Sequence, residues 1–233
     1  MVASHCHSNC IVCPSCPLSV FKDIDPVSSE KLAQIKKVTH YKRSETLFHQ
    51  GTPSFGIYCV ESGKVKLSKI NEKGAETILF IASSGDLIGY QDNSIHPEYL
   101  LTATVLQDCT ACFISNEYLN PLLLSCPTIA VNLLQQNMKR MEVLSSYAHP
   151  SLHMTVINRV AILLIVLGKS FGREKDGKMK IDLRLTRQEM ASMIGIASET
   201  MIRVLTELKR QGILEQQGNF LLINDMDGLR KVT

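Results

Sequence analysis

Four of the eight cysteines, Cys6, Cys10, Cys13 and Cys16, stand within the first sixteen residues. In a reducing compartment such crowding points to metal or redox chemistry rather than to structural disulfides. Thiolates suit both zinc and iron–sulfur clusters. The C-x2-C-x2-C spacing of Cys10, Cys13 and Cys16 is close to a ferredoxin-like run, whereas a structural zinc site normally shows two separated pairs. A tail of unused thiols is the plainer alternative. A second pair of residues carries different chemistry. Glu199 and Arg203 are four apart, so they share one face of any helix that contains them. They can form a surface ion pair and nothing more. In a DNA major groove, Glu accepts from cytosine N4 and Arg takes guanine O6 and N7 bidentately.

The elements around Glu199 and Arg203 decide what that face can meet. Thr186 followed by Glu189 is a capping box, which opens a helix. Met190, Met193 and Ile194 continue at helical spacing until Gly195 breaks the run. Ser198 is placed to cap a second helix. Met201, Val204, Leu205 and Leu208 fall on one side of it, and Ser198, Glu199, Ile202, Arg203 and Thr206 on the other. Two short helices across a tight glycine turn form a helix-turn-helix, although a plain helical hairpin has the same periodicity. Residues 213–217 and 220–223 flank Gly218 and Asn219, a hairpin signal, so the motif carries a wing. Upstream, residues 151–169 predict a strongly apolar helix for the core of this part, and 171–182 a charged loop with Gly172 and Gly177. Residues 127–149 predict a long amphipathic helix with Ala130, Leu134, Met141, Leu144 and Ala148 near coiled-coil spacing and Met138 beside them. Pro150 ends or kinks it.

The first half reads differently. Residues 21–37 predict a short helix with Ser28 or Ser29 near its start and Leu32 and Ile35 inward. From 40 to 115, short apolar strands are separated by turn signals at Gly51, Ser62 with Gly63, residues 71–74, residues 84–86 and residues 92–94. That pattern indicates an all-β sandwich or roll. The 233 residues allow one large or two modest domains. Charge is uneven: residues 150–233 hold 13 Lys and Arg against 9 Asp and Glu, and residues 1–149 hold 12 against 13. A basic C-terminal part suits phosphate contacts. No apolar run reaches membrane-span length and no secretory apolar core opens the chain, so a cytoplasmic protein with no membrane role is expected. No nucleophile–base constellation suggests an enzyme.

The chain resembles the Crp/Fnr family of bacterial transcription regulators. The resemblance rests on Thr186, Arg187, Gln188 and Glu189, on Gly195, and on Glu199 and Thr200 followed by Arg203. Leu47, Phe48 and Gly51, then Gly63, then Gly85 to Gly89 look like the family's sensory β-roll. The fold it implies is α+β: a cysteine-rich segment (1–20), a β-roll sensor (21–126), a dimerisation helix (127–149) and a winged helix-turn-helix (150–233). Implied DNA-contact residues are Thr186, Arg187, Gln188, Ser198, Glu199, Thr200, Ile202 and Arg203. The implied dimer interface is Leu134, Met138, Met141, Leu144 and Ala148. Double-stranded DNA with an inverted repeat, a second copy of the chain and RNA polymerase are the expected partners.

Family members that bind cyclic AMP carry Glu after the glycine matching Gly89 and an Arg-Ser pair further on. Here Tyr90 follows Gly89 and residues 97–100 contain no Arg, so no cyclic AMP is expected. The stretch from Gly85 to Tyr90, with His96 and Pro97, is similar to the oxygen-sensing (fumarate and nitrate reduction) branch. That branch holds a [4Fe–4S] cluster. Residue by residue, the resemblance places its ligands at Cys10, Cys13, Cys16 and Cys112, with Cys6 as the alternate. Only two residues separate Cys13 from Cys16, a shorter gap than the branch usually has. Cys59, Cys109 and Cys126 read as buried apolar residues or idle thiols. The reading alternatives are a regulator sensing a small molecule, thiol redox state or haem (through His5 or His7), and, in another class, a cyclic-nucleotide module without DNA binding. In the reading helix, Ser198 stands where cyclic-AMP members have Arg, and Ile202 where oxygen sensors usually have Ser. Ile202 suits contact with a thymine methyl, which predicts a half-site altered at one flanking pair.

Overall fold

The computed structural model describes residues 13, 16–90, 97–148, 154–175 and 177–233; of residues 16, 146–148 and 175 only the backbone is described. The chain forms two compact units, Met1–Arg140 and Met141–Thr233. Cys6, Cys10, His5, His7, the turn signal at 92–94, His96, His149 and Pro150 lie outside the described residues.

The first unit begins with a 3-10 turn, Cys16–Leu18, and helix α1, Pro26–Ile35. Asp25 caps α1 by accepting from the Ser28 amide at 2.9 Å, and Pro26 takes the first helical position, where its missing N–H costs nothing. The helix predicted over 21–37 is therefore shorter: Phe21 and Ile24 lie in the turns before it, and Lys37 already opens a strand. Leu32 is buried and Ile35 packs at the core's edge, as expected.

The strands are β1 Lys37–Tyr41, β2 Thr46–Phe48, β3 Gly56–Ile70, β4 Glu76–Ala82, β5 Leu87–Ile88 and β6 Thr102–Ser115. They form one antiparallel sheet ordered β1-β6-β3-β4, with β2 on β6 and β5 on β3. Strands β3 and β6 are long rather than short. Ser62 and Gly63 do not turn the chain; they sit inside β3 at shifts of register against β6. Gly63 has φ +89°, and a Cβ there would lie 2.3 Å from the Asp108 carbonyl, so only glycine fits this bulge. The pleat sends alternate residues of β3 and β6 to two cores. Ile57, Cys59, Cys112 and Ile114 join Leu32, Leu122, Ile129 and Leu133 in one. Val60, Val65, Ala103, Val105 and Ala111 join Phe48, Ile88 and Tyr99 inside the roll.

After β6 comes α2, Asn116–Ser125, then α3, Pro127–Ala148. The sequence reading lacks α2, which separates the strand of Cys112 from the long helix.

In the second unit α4, Val156–Phe171, supplies the core through Val160, Ala161, Leu163, Leu164 and Leu167. Its start is a capping box of Thr155 with Asn158. The helix predicted from 151 thus begins later, and 151–153 lie outside the described residues. The expected charged loop is a hairpin, β7 Gly172–Lys175 with β8 Lys178–Ile181. The helices α5, Arg187–Met193, and α6, Ser198–Arg210, follow, then β9 Leu214–Gln217, β10 Phe220–Ile223 and α7 Met226–Lys231. The sheet runs β7-β8-β10-β9. Among the described residues no helix is long and apolar enough to cross a membrane.

Candidate functional site

The Thr186–Glu189 capping box is present in both directions. The Glu189 amide donates to the Thr186 hydroxyl at 3.1 Å, and the Thr186 amide donates to the Glu189 carboxylate at 2.8 Å. Its own hydroxyl proton also goes to Glu189, at 3.0 Å, so the Thr186 side chain is engaged in capping the start of α5. At the other end of α5, the Ile196 amide reaches the Ala191 carbonyl at 3.1 Å, and Arg159 of α4 donates to the Ile194 carbonyl. The turn at Gly195 is therefore braced from the core helix.

The cap of α6 differs from expectation. Ala197 holds the cap position with no side-chain bond, and Ser198 is the first helical residue. The faces divide as the periodicity predicts. Met201, Val204, Leu205 and Leu208 are buried, while Glu199, Ile202, Arg203 and Thr206 are exposed. Ser198 and Thr200 are half-buried, Thr186 and Gln188 exposed, and Arg187 half-buried. Among the described residues Glu199 and Arg203 form no ion pair with each other, and their side chains point outward from one face. The bland reading, a closed intrahelical pair, is not the arrangement adopted.

Cations also meet side chains of β9 and β10 in a way that spacing does not reveal. Arg187 and Lys209 both reach the side-chain oxygen of Gln216 in β9, at 2.9 and 2.6 Å. Lys180 lies 4.3 Å and Arg184 5.1 Å over the ring of Phe220, geometry in which a cation meets the negative face of the ring. Each group joins elements that are separate in sequence, so only the fold assembles it.

In the first unit, Cys112 of β6 lies directly opposite Cys59 of β3 and Val38 of β1, so these side chains share one face of the sheet. That face is the core that Val20, Phe21 and Ile24 enter, the residues that follow the cysteine run. Cys13 is buried as well. The side chain of Cys16 is outside the described residues, as are Cys6 and Cys10. Among the described residues no group of three or more His, Cys, Asp or Glu converges on a metal position. Thiol donors suit a soft metal, and Cys112 lies in the core that Val20, Phe21 and Ile24 enter. Cys59, Cys109 and Cys126 are buried as expected. Burial, with the Glu61 carboxylate nearby, pushes the Cys109 thiol up to about 12.

The segment behind the cysteines is tied to α3. Asn132 donates to the carbonyls of Val20 and Lys22 at 3.1 and 3.0 Å. Gln136, one turn on, donates to the Gly85 carbonyl at 3.1 Å and accepts from the Leu87 amide at 2.9 Å. Arg140, another turn on, donates to the Leu87 carbonyl at 2.5 Å, pairs with Asp86 at 3.4 Å and lies 4.8 Å over the Phe80 ring. A Cβ on Gly85 would sit 2.6 Å from the Leu18 backbone, so the two segments that α3 grips also touch each other. The opposite side of α3 exposes Val131, Leu134, Met138 and Met141. Leu144 is half-buried, and the side chain of Ala148 is outside the described residues.

Inside the roll, Tyr99 is buried, stacks on Phe48 with ring centroids 4.1 Å apart, and donates to the Gly56 carbonyl at 2.7 Å. Phe48 also stacks on Tyr58, whose phenol is pushed up by burial. Residues 97–100 thus bring an aromatic ring where the sequence reading looks for a cation.

Residues 38–126 match the cyclic nucleotide-binding domain family, and residues 158–232 the Crp-like helix-turn-helix domain family. The chain is 24% identical over 212 residues to a CRP-like cAMP-activated global transcriptional regulator of Mycobacterium tuberculosis, covering 91% of this chain and 95% of the relative. It is 28% identical over 236 residues to the transcriptional activator protein FnrA of Stutzerimonas stutzeri, covering 97% and 91%. Its fold is similar to that of FixK2 from Bradyrhizobium japonicum, with a TM-score of 0.73 at 20% identity, covering 85% of this chain and 97% of that one.

Proposed function

Because this chain belongs to the Crp/Fnr family of DNA-binding transcription regulators and is not an enzyme, we propose that it works as a homodimer on an inverted-repeat operator and takes its signal, oxygen or another oxidant, through its N-terminal cysteines. The observation that carries the DNA reading is α6: a buried apolar side that fixes the helix, and an exposed side presenting Glu199 and Arg203 without an ion pair between them. One such helix per subunit, related by a two-fold axis, reads half-sites about one helical turn apart. The exposed apolar stripe of α3 supports the homodimer, since a monomer has no reason to leave Leu134, Met138 and Met141 in water together.

The oxidant-sensitive group in this reading is a [4Fe–4S] cluster held by Cys10, Cys13, Cys16 and Cys112, with Cys6 the alternate. Its loss would free the cysteine-bearing segment. Asn132 holds the next residues of that segment by their carbonyls, so a change in the segment bears directly on the helix whose other side faces the second copy. A two-state change in that hold biases dimerisation and hence DNA affinity. Cyclic AMP has no place in the reading: the segment that would offer a phosphate-binding Arg carries Tyr99 instead, packed against Phe48.

The test is purification without oxygen, followed by the ultraviolet–visible spectrum, iron and sulfide per chain, and selection of duplexes from random DNA before and after air. A broad thiolate-to-iron absorption, lost in air together with dimer and DNA binding, is the expected result. A Soret band would replace the cluster by haem, and a colourless protein that still binds DNA would leave the dimeric regulator and remove the cluster. Serine at Cys10, Cys13 or Cys112 should abolish iron; serine at Cys59, Cys109 or Cys126 should not.

A further inference from the structure

In the second unit a cavity of about 340 Å³ opens between the end of α4, the β7–β8 hairpin, β10 and α7. Its floor is apolar: Met179 of β8, Ile223 of β10 and Met226 of α7. Two glycines, Gly168 within α4 and Gly172 just after it, let that floor close against the helix. A Cβ on Gly172 would lie 2.3 Å from the Met179 sulfur, and one on Gly168 would lie 3.2 Å from Ile223 Cδ1 and 3.7 Å from Met226 Cε. Glycine inside a helix is disfavoured against alanine, and this packing accounts for Gly168 in α4. The rim is charged. Lys178 and Arg230 are already paired, with Glu215 at 2.9 Å and with Asp227 at 3.1 Å. Lys169 of α4 and Glu174 of β7 line the same cavity, and among the described residues neither is in an ion pair, with the other or elsewhere. An apolar floor thus lies beside an unpaired cation and an unpaired carboxylate. A fatty acid would answer only the cation, and an alkylamine only the carboxylate.

We infer that this cavity binds a free apolar α-amino acid of about the size of leucine. The side chain of the ligand lies on Met179, Ile223 and Met226, its carboxylate meets Lys169 and its ammonium meets Glu174. Methionine side chains adapt to the shape they pack against, so the floor selects for an apolar chain of limited size more than for one branching pattern. Hydrogen bonds to charged groups are the strong ones, and an analogue that lacks one charge leaves the matching rim charge uncompensated. The volume is at the small end of ligand pockets, which span about 300–1,000 Å³, and suits an amino acid rather than a nucleotide. The site uses residues of the second unit alone and none of the DNA-contact residues. It therefore stands apart from the cysteines and from the base-reading face, and gives the second unit an input of its own.

The test titrates the full-length protein, its methionine methyls labelled with carbon-13, with L-leucine, with 4-methylpentanoate (no ammonium) and with 3-methylbutylamine (no carboxylate). L-leucine should shift the Met179 and Met226 methyl signals saturably and bind about tenfold more tightly than either analogue. Lys169→Met should weaken L-leucine about tenfold and leave 3-methylbutylamine unchanged. Glu174→Gln should bring L-leucine down to the level of 4-methylpentanoate and leave 4-methylpentanoate unchanged. Both side chains are exposed, so neither variant should melt differently from the wild type without ligand. Equal affinity of L-leucine and either analogue for the wild type overturns the amino-acid assignment. So does L-leucine binding that both variants leave intact. Shifts confined to Met138 and Met141 put the ligand on the exposed stripe of α3, and no saturable shift with any of the three compounds leaves the cavity without this ligand; either result overturns the site.

Discussion

Helices α3 and α6 both turn a face outward, and the two faces are opposites. In α6 the apolar residues Met201, Val204, Leu205 and Leu208 go inward, and charge and hydroxyl go out. In α3 the amide and guanidinium groups of Asn132, Gln136 and Arg140 go inward, alongside Ile129 and Leu133, while Leu134 and Met138 are 63% and 64% exposed. Burying polar groups is tolerable where they find partners, and here, the Nε of Arg140 apart, they find backbone carbonyls, an amide and the Asp86 carboxylate. Exposing a stripe of Leu and Met is tolerable only where something apolar covers it. In the reading proposed above, the outward face of α6 meets polar base edges and that of α3 a like helix.

The comparison breaks most visibly if α3 is made to resemble α6. Met138→Glu should leave the chain folded, since the side chain is already in water. It should also place an unpaired charge in the dimer seam at a cost of about 3–5 kcal/mol. Sedimentation should then show monomers, with DNA binding lost; a dimer of wild-type strength would mean the stripe is not the seam. Next comes the buried side of α6. Leu205→Ala should lower folding stability by about 2–4 kcal/mol in urea titrations, whereas Leu134→Ala should change monomer stability by less than about 1 kcal/mol. Equal losses would erase the distinction between the two faces. On the outer side of α6, Arg203→Ala should cost about 1–3 kcal/mol of operator binding and relax preference at one base pair. A uniform loss on every sequence would make Arg203 a phosphate contact. On the inner side of α3, Asn132→Ala should cost about 1 kcal/mol and speed tryptic cleavage at Lys22, which its amide holds. The smallest effect belongs to Cys109. With its thiol near 12 against an ordinary 9.0, it holds about a thousandfold less thiolate at pH 8, so iodoacetamide should spare it until the chain unfolds.

Local signals were the legible ones. The Thr186–Glu189 box, the division of α6 into two faces and the turn at Gly218 each involve residues a few places apart, and each stands where periodicity or turn chemistry puts it. Gly63 misleads because a glycine with positive φ serves a bulge as well as a turn, and only the partner strand decides between them. Helix α2 hides because Pro121 lies within it, a residue that normally argues against a helix. The hairpin of β7 and β8 hides because β7 is charged and each strand is only four residues long, too short for the alternation of Met179 and Ile181 to stand out. Asn132, Gln136 and Arg140 recur every four residues, but a search for apolar stripes passes over them. The meeting of Arg187, Lys209 and Gln216 spans three elements and has no sequence signature.

Asn132, Gln136 and Arg140 grip main chain far more than side chains. Among the described residues their partners are the carbonyls of Val20, Lys22, Gly85 and Leu87 and the amide of Leu87, with the Asp86 carboxylate and the Phe80 ring the side chains met outside α3. Every residue offers a carbonyl, so, glycine at 85 apart, this grip is indifferent to what the gripped positions carry. Substitutions at Val20 and Lys22 are constrained only by packing. If the leading segment carries the signal, as proposed, a lineage can exchange it for one with different chemistry while the helix keeps its hold, and a change of stimulus need not be accompanied by a change in the receiver.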